Sequence, residues 1–263
     1  MKTDIPRYAI LGGGRLARHL RHYFTLLGLP CSVWARNPDP ALNSHPISGN
    51  TNDCAERLHA TVQEASHVLL LVSDDAIASL PKRYPILRSK TLLHCSGALG
   101  IPGIAGAHPL MSFGPDLYDL ETYQRIPFML DQGLVMSELL PGLPNPSNNI
   151  AVEHKAQYHA LCVMAGNFPQ ILWQSITQRF GELGMADGVL EPYLRQVLEN
   201  FLANPGNALT GPLSRDDQGT IARNLQSLQG DALQPLYQSF VEFHSAERKS
   251  AEQKSVELQE AQS

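Results

Sequence analysis

The chain lacks several features that would place it in a common functional class. Its densest apolar run, residues 67–72, is far shorter than the ~20 residues that span a bilayer. The four cysteines contain no CxxC pair, so neither a disulfide framework nor a cysteine zinc site is expected. No HExxH motif accompanies the ten histidines, and we predict no metal site.

The chain also lacks a basic excess and an apolar leader. A net charge of -5 and a pI of about 6.0 argue against binding to nucleic acid or to an anionic membrane. No apolar signal segment follows the first residues, which favours a cytoplasmic protein with reduced thiols. What is present is a chain of 263 residues, 43% hydrophobic, enough for one large domain or two ordinary ones.

The first half of the sequence alternates strand and helix signals. The predicted strands are 8–11, 30–35, 68–72, 91–94, 104–108 and 127–130, with 58–61 and the segment after 149 as further candidates. Uniformly apolar strands that alternate with helices are typical of a doubly wound parallel sheet covered on both faces. A loop rich in proline and asparagine at 140–149 places the end of this first domain near residue 152.

The second half is predicted to be a helical domain over residues 153–248, followed by a polar tail, frayed or disordered, at 249–263. Its first helix, 157–180, is apolar on nearly every face, so we expect it to be buried, with a kink or break at Pro169. A helix of this kind needs cover on all sides. A second copy of the chain is the simplest cover, so we predict a homodimer built by the helical domain.

A glycine run, Gly12-Gly13-Gly14, joins the first predicted strand to the first helix. Together with Ala17 it forms a GxGxxA fingerprint, in which the glycines allow a tight turn and close approach of the backbone to a pyrophosphate. Ligands in such folds lie at the carboxyl ends of the strands. The predicted cofactor contacts along the turn and these ends are Gly12, Gly13, Gly14, Arg15, Leu16, Ala17, Val72, Ser73, Asp74 and Ser96. Asp74 and Asp75 are equally suited to be helix caps.

The end of the second predicted strand carries Arg36 and Asn37. An NAD-binding site usually has a carboxylate here, which binds the ribose hydroxyls. Arginine instead suits the 2′-phosphate of NADP. We therefore predict that the cofactor is NADP(H) and not NAD(H). The alternative is that Arg36 is a solvated surface residue with no role in binding.

Four further segments suggest a substrate site. His108 is held extended by Pro109 and is our candidate proton donor to a developing alkoxide or amine; a structural histidine bonded to a carbonyl is the alternative. Ser96 and Asn167 are predicted to orient the substrate. Asn167 and His159 lie on the apolar helix, where they must either face the cleft or hold the domains together.

The segment "ALTGPLSRDDQGTI" supplies the remaining site candidates. Thr210 and Arg215 are predicted to close over the cleft. The competing interpretation is local, with Asp216 or Asp217 capping a helix and Arg215 paired beside it.

Several stretches together resemble a family of two-domain Rossmann-like proteins: "ILGGGRLARHL", "LLLVSDDAI", "LHCSGALG", "GAHPLMSF", "YHALCVMAGNF" and "ALTGPLSRDDQGTI". The C-terminal half of that family is a domain of unknown function (DUF2520), related to the 6-phosphogluconate dehydrogenase-like helical domain. Its wider kin look like pyrroline-5-carboxylate reductases, prephenate dehydrogenases and β-hydroxyacid dehydrogenases. The resemblance implies an N-terminal NAD(P) domain, a helical dimerisation domain and a site between them.

The resemblance also shows a departure. When Asn167 is aligned with the asparagine of the β-hydroxyacid dehydrogenases, Val163 stands where those enzymes have a catalytic lysine. Despite this departure, the glycine fingerprint, Arg36 and the resemblance together predict an NADP-dependent oxidoreductase that transfers hydride to or from a small C=O or C=N substrate. The alternative is a dinucleotide-binding module without turnover, such as a redox sensor or an assembly partner.

Overall fold

The structure is a computed structural model that describes residues 5–36 and 51–260, with side chains from 54 to 259 in the second range. The chain divides into two compact units, Met1–Gln174 and Ser175–Ser263. Within the described part of the chain, none of the helices combines the length and hydrophobicity that a membrane crossing requires.

One seven-stranded sheet dominates the first unit, in the order β2-β1-β3-β4-β5-β6-β7. The strands are β1 Tyr8–Leu11, β2 Cys31–Trp34, β3 His67–Leu70, β4 Thr91–His94, β5 Ala105–Pro109, β6 Phe128–Asp131 and β7 Ser147–Ile150. The first six confirm the predicted strands to within two residues at either end. The sheet is parallel except between β5 and β6, which pair antiparallel. The predicted doubly wound parallel sheet is confirmed, and β6 departs from it because the connection after β5 turns the chain back beside that strand.

Ten helices accompany the sheet in the described residues. They are α1 Arg15–Leu26, α2 Thr51–Val62, α3 Asp74–Ile77, α4 Leu80–Arg83, α5 Leu120–Arg125, α6 Met136–Leu139, α7 Lys155–Glu182, α8 Glu191–Ala203, α9 Gln218–Ser227 and α10 Leu233–Glu260. Short 3₁₀ helices cover Pro85–Ser89 and Val152–His154. The strand suggested at 58–61 is wrong, since these residues belong to α2. Leu58 and Val62, one helical turn apart, are its buried residues.

The core of the first unit lies on both faces of the sheet. All four residues of β1 are buried, and their side chains alternate between the two faces. Tyr8 and Ile10 pack in a cluster with α1, whereas Ala9 and Leu11 pack in a second cluster with α2. A sheet covered on both faces is the doubly wound arrangement that the sequence predicts.

The long helix α7 differs from its prediction. It continues through Pro169 without a break, and its central apolar side chains are not buried by the described chain. Leu161, Phe168 and Ile171 are 57%, 54% and 61% exposed. Only Lys155 is buried among its residues. The polar tail continues α10 as helix up to Glu260.

Candidate functional site

A cleft opens at the carboxyl ends of β1, β2 and β3. The chain leaves β1 for β2 on one side and returns for β3 on the other, and such a reversal leaves a crevice between the two connections. The cleft has a volume of about 610 Å³, and its lining is Gly12, Gly13, Gly14, Trp34, Ala35, Arg36, Leu71, Val72, Ser73, Ala76, Ser79, Leu80, Arg83 and Tyr84. Six of the predicted cofactor residues therefore meet here: Gly12, Gly13, Gly14, Arg36, Val72 and Ser73.

Gly12 and Gly14 lack a side chain for different structural reasons. Gly12 has a φ of +150°, and a Cβ there would lie 2.0 Å from the carbonyl oxygen of Leu71. Its lack of a side chain is required by the packing of β1 against β3. Gly14 has an ordinary extended backbone and no atom within 4 Å of a Cβ position. The fold leaves this space open.

The space over Gly14 lies at the start of α1, where Gly14 is the N-cap and no side chain caps the helix. The first N–H groups of a helix have no partner within the helix, and the helix dipole attracts an anion to them. A pyrophosphate fits this cradle, and a side chain at Gly14 would fill it.

The other predicted cofactor residues lie outside the lining of this cleft. Arg15 is exposed and donates a hydrogen bond to the carbonyl of Phe113 at 3.2 Å. Leu16 packs against the core and Ala17 is buried within it, which fits the close-packing role of the third fingerprint position. Asn37 lies outside the described residues.

Asp74 and Ser96 form a link between neighbouring strand ends. The Ser96 hydroxyl donates to the Asp74 carboxylate at 2.8 Å and accepts two backbone N–H groups of the following turn at 3.3 Å. Asp74 opens α3, whose N-cap is Ser73 without a side-chain cap bond. Asp74 thus lies inside the helix and fixes Ser96 beyond β4.

Sequence reasoning missed eight lining residues of the first cleft, and among them are a charged side chain and a phenol hydroxyl. Arg83 and Tyr84 line it from the end of α4, and the Arg83 guanidinium lies 5.4 Å from the centre of the Tyr84 ring. The cleft therefore holds a second arginine besides Arg36. The basic pair Lys82 and Arg83 after Pro81 could have indicated this part of the site. The helix that carries the pair is too short to be recognised from hydrophobic periodicity.

A second cleft, about 640 Å³, lies in the same unit between the end of β5 and α7. Its lining is His108, Leu110, Met111, Ser112, Tyr158, His159, Leu161, Cys162, Val163, Ala165, Gly166 and Asn167. The structure thus brings together His108 and Asn167, two of the predicted substrate residues. His159 and Val163 also line this cleft, and Val163 presents an apolar side chain there.

His108 has a tyrosine as its partner. Its Nδ1 lies 2.8 Å from the Tyr158 hydroxyl oxygen. Burial, followed by the charges of His159 and Lys155, lowers the pKa of His108 to about 4. The imidazole is therefore neutral at pH 7.

Two histidine nitrogens approach Gly97, which follows Ser96 beyond the end of β4. A Cβ on Gly97 would lie 2.7 Å from Nδ1 of His159 and 3.2 Å from Nε2 of His108. The two imidazole rings are nearly perpendicular, with centres 5.9 Å apart. Nδ1 of His159 is buried and has no hydrogen-bond partner among the described residues.

A buried ion pair lies behind this cleft. Lys155, only 2% exposed at the start of α7, donates to Asp131 of β6 at 2.5 Å, and that carboxylate is 16% exposed. The other Asp131 oxygen accepts the Gly106 N–H at 2.6 Å. A Cβ on Gly106 would lie 2.4 Å from Nζ of Lys155, so the glycine makes room for the pair. Sequence reasoning missed this pair, since a lysine that begins an apolar helix is its one local sign.

The loop that carries Leu110, Met111 and Ser112 is fastened to α1. His19, buried in α1, contacts the carbonyl oxygen of Gly114 with Nε2 at 3.0 Å and the Tyr123 hydroxyl with Nδ1 at 2.8 Å. Because a carbonyl can only accept, Nε2 carries the proton and the Tyr123 hydroxyl donates to Nδ1. Arg15 adds its bond to Phe113.

Thr210 and Arg215 belong to the second unit. Both are exposed in the connection between α8 and α9. Asp217 is the N-cap of α9 and accepts the Thr220 N–H at 3.0 Å, which confirms the local capping interpretation. A role of Thr210 and Arg215 in closing a cleft stays a prediction.

The strand order, the glycine turn and the crevice at the strand ends define a Rossmann-like fold. Residues 133–242 match the family described as Domain of unknown function (DUF2520), which confirms the resemblance over this part of the chain. No curated protein matches the chain.

Solved structures share the fold over nearly the whole chain. A protein from Bacteroides fragilis, described as a candidate NADP oxidoreductase, has 18% identity and a TM-score of 0.69, covering 91% of this chain and 97% of its own. A protein from Thermotoga maritima has 21% identity and a TM-score of 0.63, with coverages of 93% and 99%. Pyrroline carboxylate reductase from Plasmodium falciparum, with NADP bound, has 13% identity and a TM-score of 0.57, with coverages of 93% and 98%. At these identities the likeness establishes the fold.

Proposed function

We propose that this protein is an NADP-dependent oxidoreductase that transfers hydride between NADP(H) and a small C=O or C=N substrate in the cytoplasm. One observation carries the proposal: the open space over Gly14 at the start of α1, in a cleft that also holds Arg36. The fold leaves this space free without a packing reason. Solved structures with this fold are described with NADP or NADPH and with NAD+, which supports a pyridine nucleotide cofactor here, and Arg36 is the reason that we propose NADP.

In this proposal the first cleft binds the cofactor and the second cleft binds the substrate. The backbone of residues 12–14 holds the pyrophosphate, and Arg36 binds the 2′-phosphate. When bound, the nicotinamide supplies or accepts the hydride. Ser73 lines the same cleft, and Asp74 holds Ser96 beyond the end of β4. His108 and Asn167 then bind the reacting group of the substrate.

Arg36 should make the affinity for NADPH higher than the affinity for NADH. A charge-assisted contact contributes roughly 1.5–3 kcal/mol, so Arg36→Ala should weaken NADPH about ten- to a hundredfold and leave NADH nearly unchanged. Titration of nicotinamide fluorescence with both cofactors measures this difference. The control is Arg125→Ala, an exposed arginine of α5 that pairs with Glu121. Equal weakening of NADPH and NADH would withdraw the NADP preference.

His108→Ala should lower turnover and leave NADPH affinity unchanged, because His108 lines the substrate cleft and not the dinucleotide cleft. Single-turnover kinetics and cofactor titration separate the two effects. His154→Ala, at an exposed histidine before α7, is the matched control. If His108→Ala loses its fold or its cofactor instead, the residue is structural.

A dinucleotide-binding module without turnover is the second candidate. Val163 favours it, since this residue presents no amine to the substrate cleft. A screen of keto acids, neutral ketones and cyclic imines with NADPH distinguishes the two functions. NADPH binding without oxidation across the whole panel supports the module.

The protein should form a homodimer through its helical part. Leu161, Met164, Phe168 and Ile171 are exposed at intervals of three and four residues along α7, which places them on one face. Tyr193, Val197 and Phe201 form a similar exposed row on α8. Apolar surfaces of this kind usually mark an interface. Light scattering at micromolar concentration should give about twice 28.9 kDa, and a monomer at that concentration would contradict the prediction.

A further inference from the structure

The first cleft contains a second cation, Arg83, which is the last residue of α4 and lines the cleft together with Arg36. Among the described residues of the lining, these two arginines are charged and none is acidic. No ion pair or side-chain hydrogen bond joins Arg83 to another described residue. The cleft therefore presents two positive charges that no described carboxylate neutralises.

The two arginines reach the cleft from opposite sides of β1. Arg36 comes directly after β2, and Arg83 comes after β3. These two strands are the neighbours of β1 in the sheet. The end of β2 is where a fold of this kind binds the adenosine ribose. A group bound there beside Arg36 can therefore receive a second arginine from the other side of the cleft.

The Tyr84 ring restrains the guanidinium of Arg83. The guanidinium carbon lies 5.4 Å from the centre of this ring, which is within the range of a cation–π contact. Pro85 disfavours a helical backbone at Tyr84, and α4 ends at Arg83. Tyr84 also packs against the buried cluster between the sheet and α2. A ring held by the core thus orients the cation in the cleft.

An arginine that stacks on a ring keeps its hydrogen-bond donors. The N–H groups lie in the plane of the guanidinium and point outwards from its edge, whereas the ring occupies one face. That edge matches a phosphate, which accepts two parallel bonds. A phosphate monoester carries a charge of about -1.5 to -2 at pH 7, more than either phosphate of a pyrophosphate diester. Two arginines therefore suit a phosphate monoester best.

We propose that Arg83 is a second ligand of the 2′-phosphate of NADP(H), opposite Arg36, and that Tyr84 positions it. The proposal rests on the oxidoreductase function above and adds a specificity-determining residue to its cofactor site. Preference for NADP then depends on two arginines from separate parts of the chain. NAD(H) lacks the 2′-phosphate and gives neither arginine this partner.

Paired titrations of the full chain with NADPH and NADH test the assignment of Arg83. Arg83→Gln should weaken NADPH about ten- to a hundredfold and leave NADH nearly unchanged, because NADPH alone carries the phosphate. Lys82→Gln is the matched control. It removes an exposed charge one residue earlier, outside the lining of the cleft, and should change neither affinity. Equal weakening of both cofactors by Arg83→Gln would indicate a contact with the adenine or the pyrophosphate and would overturn the proposal, as would unchanged affinity for NADPH.

Two variants of Tyr84 test its positioning role. Tyr84→Phe keeps the ring and should keep the native ratio of NADPH affinity to NADH affinity. Tyr84→Leu should lower that ratio, because Arg83 loses the surface that orients it. Damage to the fold alone would weaken both cofactors together and leave the ratio unchanged. A native ratio in Tyr84→Leu would refute the positioning role.

Calorimetry with 2′,5′-ADP and 5′-AMP, which carry no nicotinamide, separates this proposal from the proposed function. The native chain should bind 2′,5′-ADP more tightly than 5′-AMP. Arg36→Ala and Arg83→Gln should each reduce this advantage, and the double variant should abolish it. Complete loss of the advantage in Arg36→Ala alone would refute the role of Arg83. If NADPH and 2′,5′-ADP bind as expected but no substrate is reduced, the oxidoreductase function fails and the assignment of Arg83 stands. If neither ligand binds the native chain, both proposals fail.

Discussion

The Gly14→Val protein should fold normally and lose measurable binding of NADPH and of NADH. Gly14 adopts a φ of -79° and a ψ of -178°, which any residue can take. Its Cβ would meet no atom of the chain within 4 Å, so the sheet has no reason to change. The added isopropyl group would instead occupy the space of the pyrophosphate over the start of α1. Nicotinamide fluorescence measures binding, and circular dichroism with urea unfolding measures the fold.

Two further glycine variants make this result specific. Gly181→Val, at an exposed position of α7 with open space around it, should bind both cofactors as the native protein does. Gly12→Ala should lose stability whether or not cofactor is present, because its Cβ would lie 2.0 Å from a backbone oxygen. Native affinity in Gly14→Val would show that the pyrophosphate does not lie at α1 and would remove the main support for the oxidoreductase function.

Asp131→Ala should reduce the free energy of unfolding by about 3–5 kcal/mol, which is the usual cost of leaving a buried charge without its partner. Lys155 is 2% exposed and would lose its partner in a site with little access to water. The Gly106 N–H would lose its acceptor as well. Urea unfolding at neutral pH, followed by fluorescence, gives the difference directly.

The double variant Asp131→Leu, Lys155→Met identifies the cause. Replacement of a buried pair by apolar residues of similar volume is often close to neutral, so most of the stability should return. Glu64→Ala, which breaks the exposed pair with Arg7, should cost at most about 1 kcal/mol. If the double variant is as unstable as Asp131→Ala, the loss comes from packing at β6 and not from the uncompensated charge.

The features that sequence reasoning identified correctly are local in the chain. A strand such as 91–94 can be predicted from four consecutive residues. The turn at Gly12 and Gly14 can be predicted because a strand, a glycine run and a helix follow one another directly. Arg36 could be assigned to the dinucleotide cleft because its distance from the glycines is fixed by one strand and one helix.

What the sequence could not show depends on residues far apart in the chain. Tyr158 meets His108 fifty residues away, and Lys155 meets Asp131 twenty-four away. Neither contact follows from periodicity, since both arise from the position at which α7 begins beside the sheet. The direction of β6 was also missed, because an apolar run of four residues is compatible with either orientation.

The fastening of the loop after β5 to α1 has a consequence for ligand binding. A surface loop normally loses conformational freedom when a ligand orders it, and that loss weakens binding. Here the bonds from His19 and Arg15 to the backbone of residues 113 and 114 restrain the segment as soon as the unit folds. Leu110, Met111 and Ser112 are therefore already in position when a substrate arrives. In the proposed function, affinity at this wall depends on the fit between two preorganised surfaces, and a substitution at His19, which lines neither cleft, should weaken substrate binding.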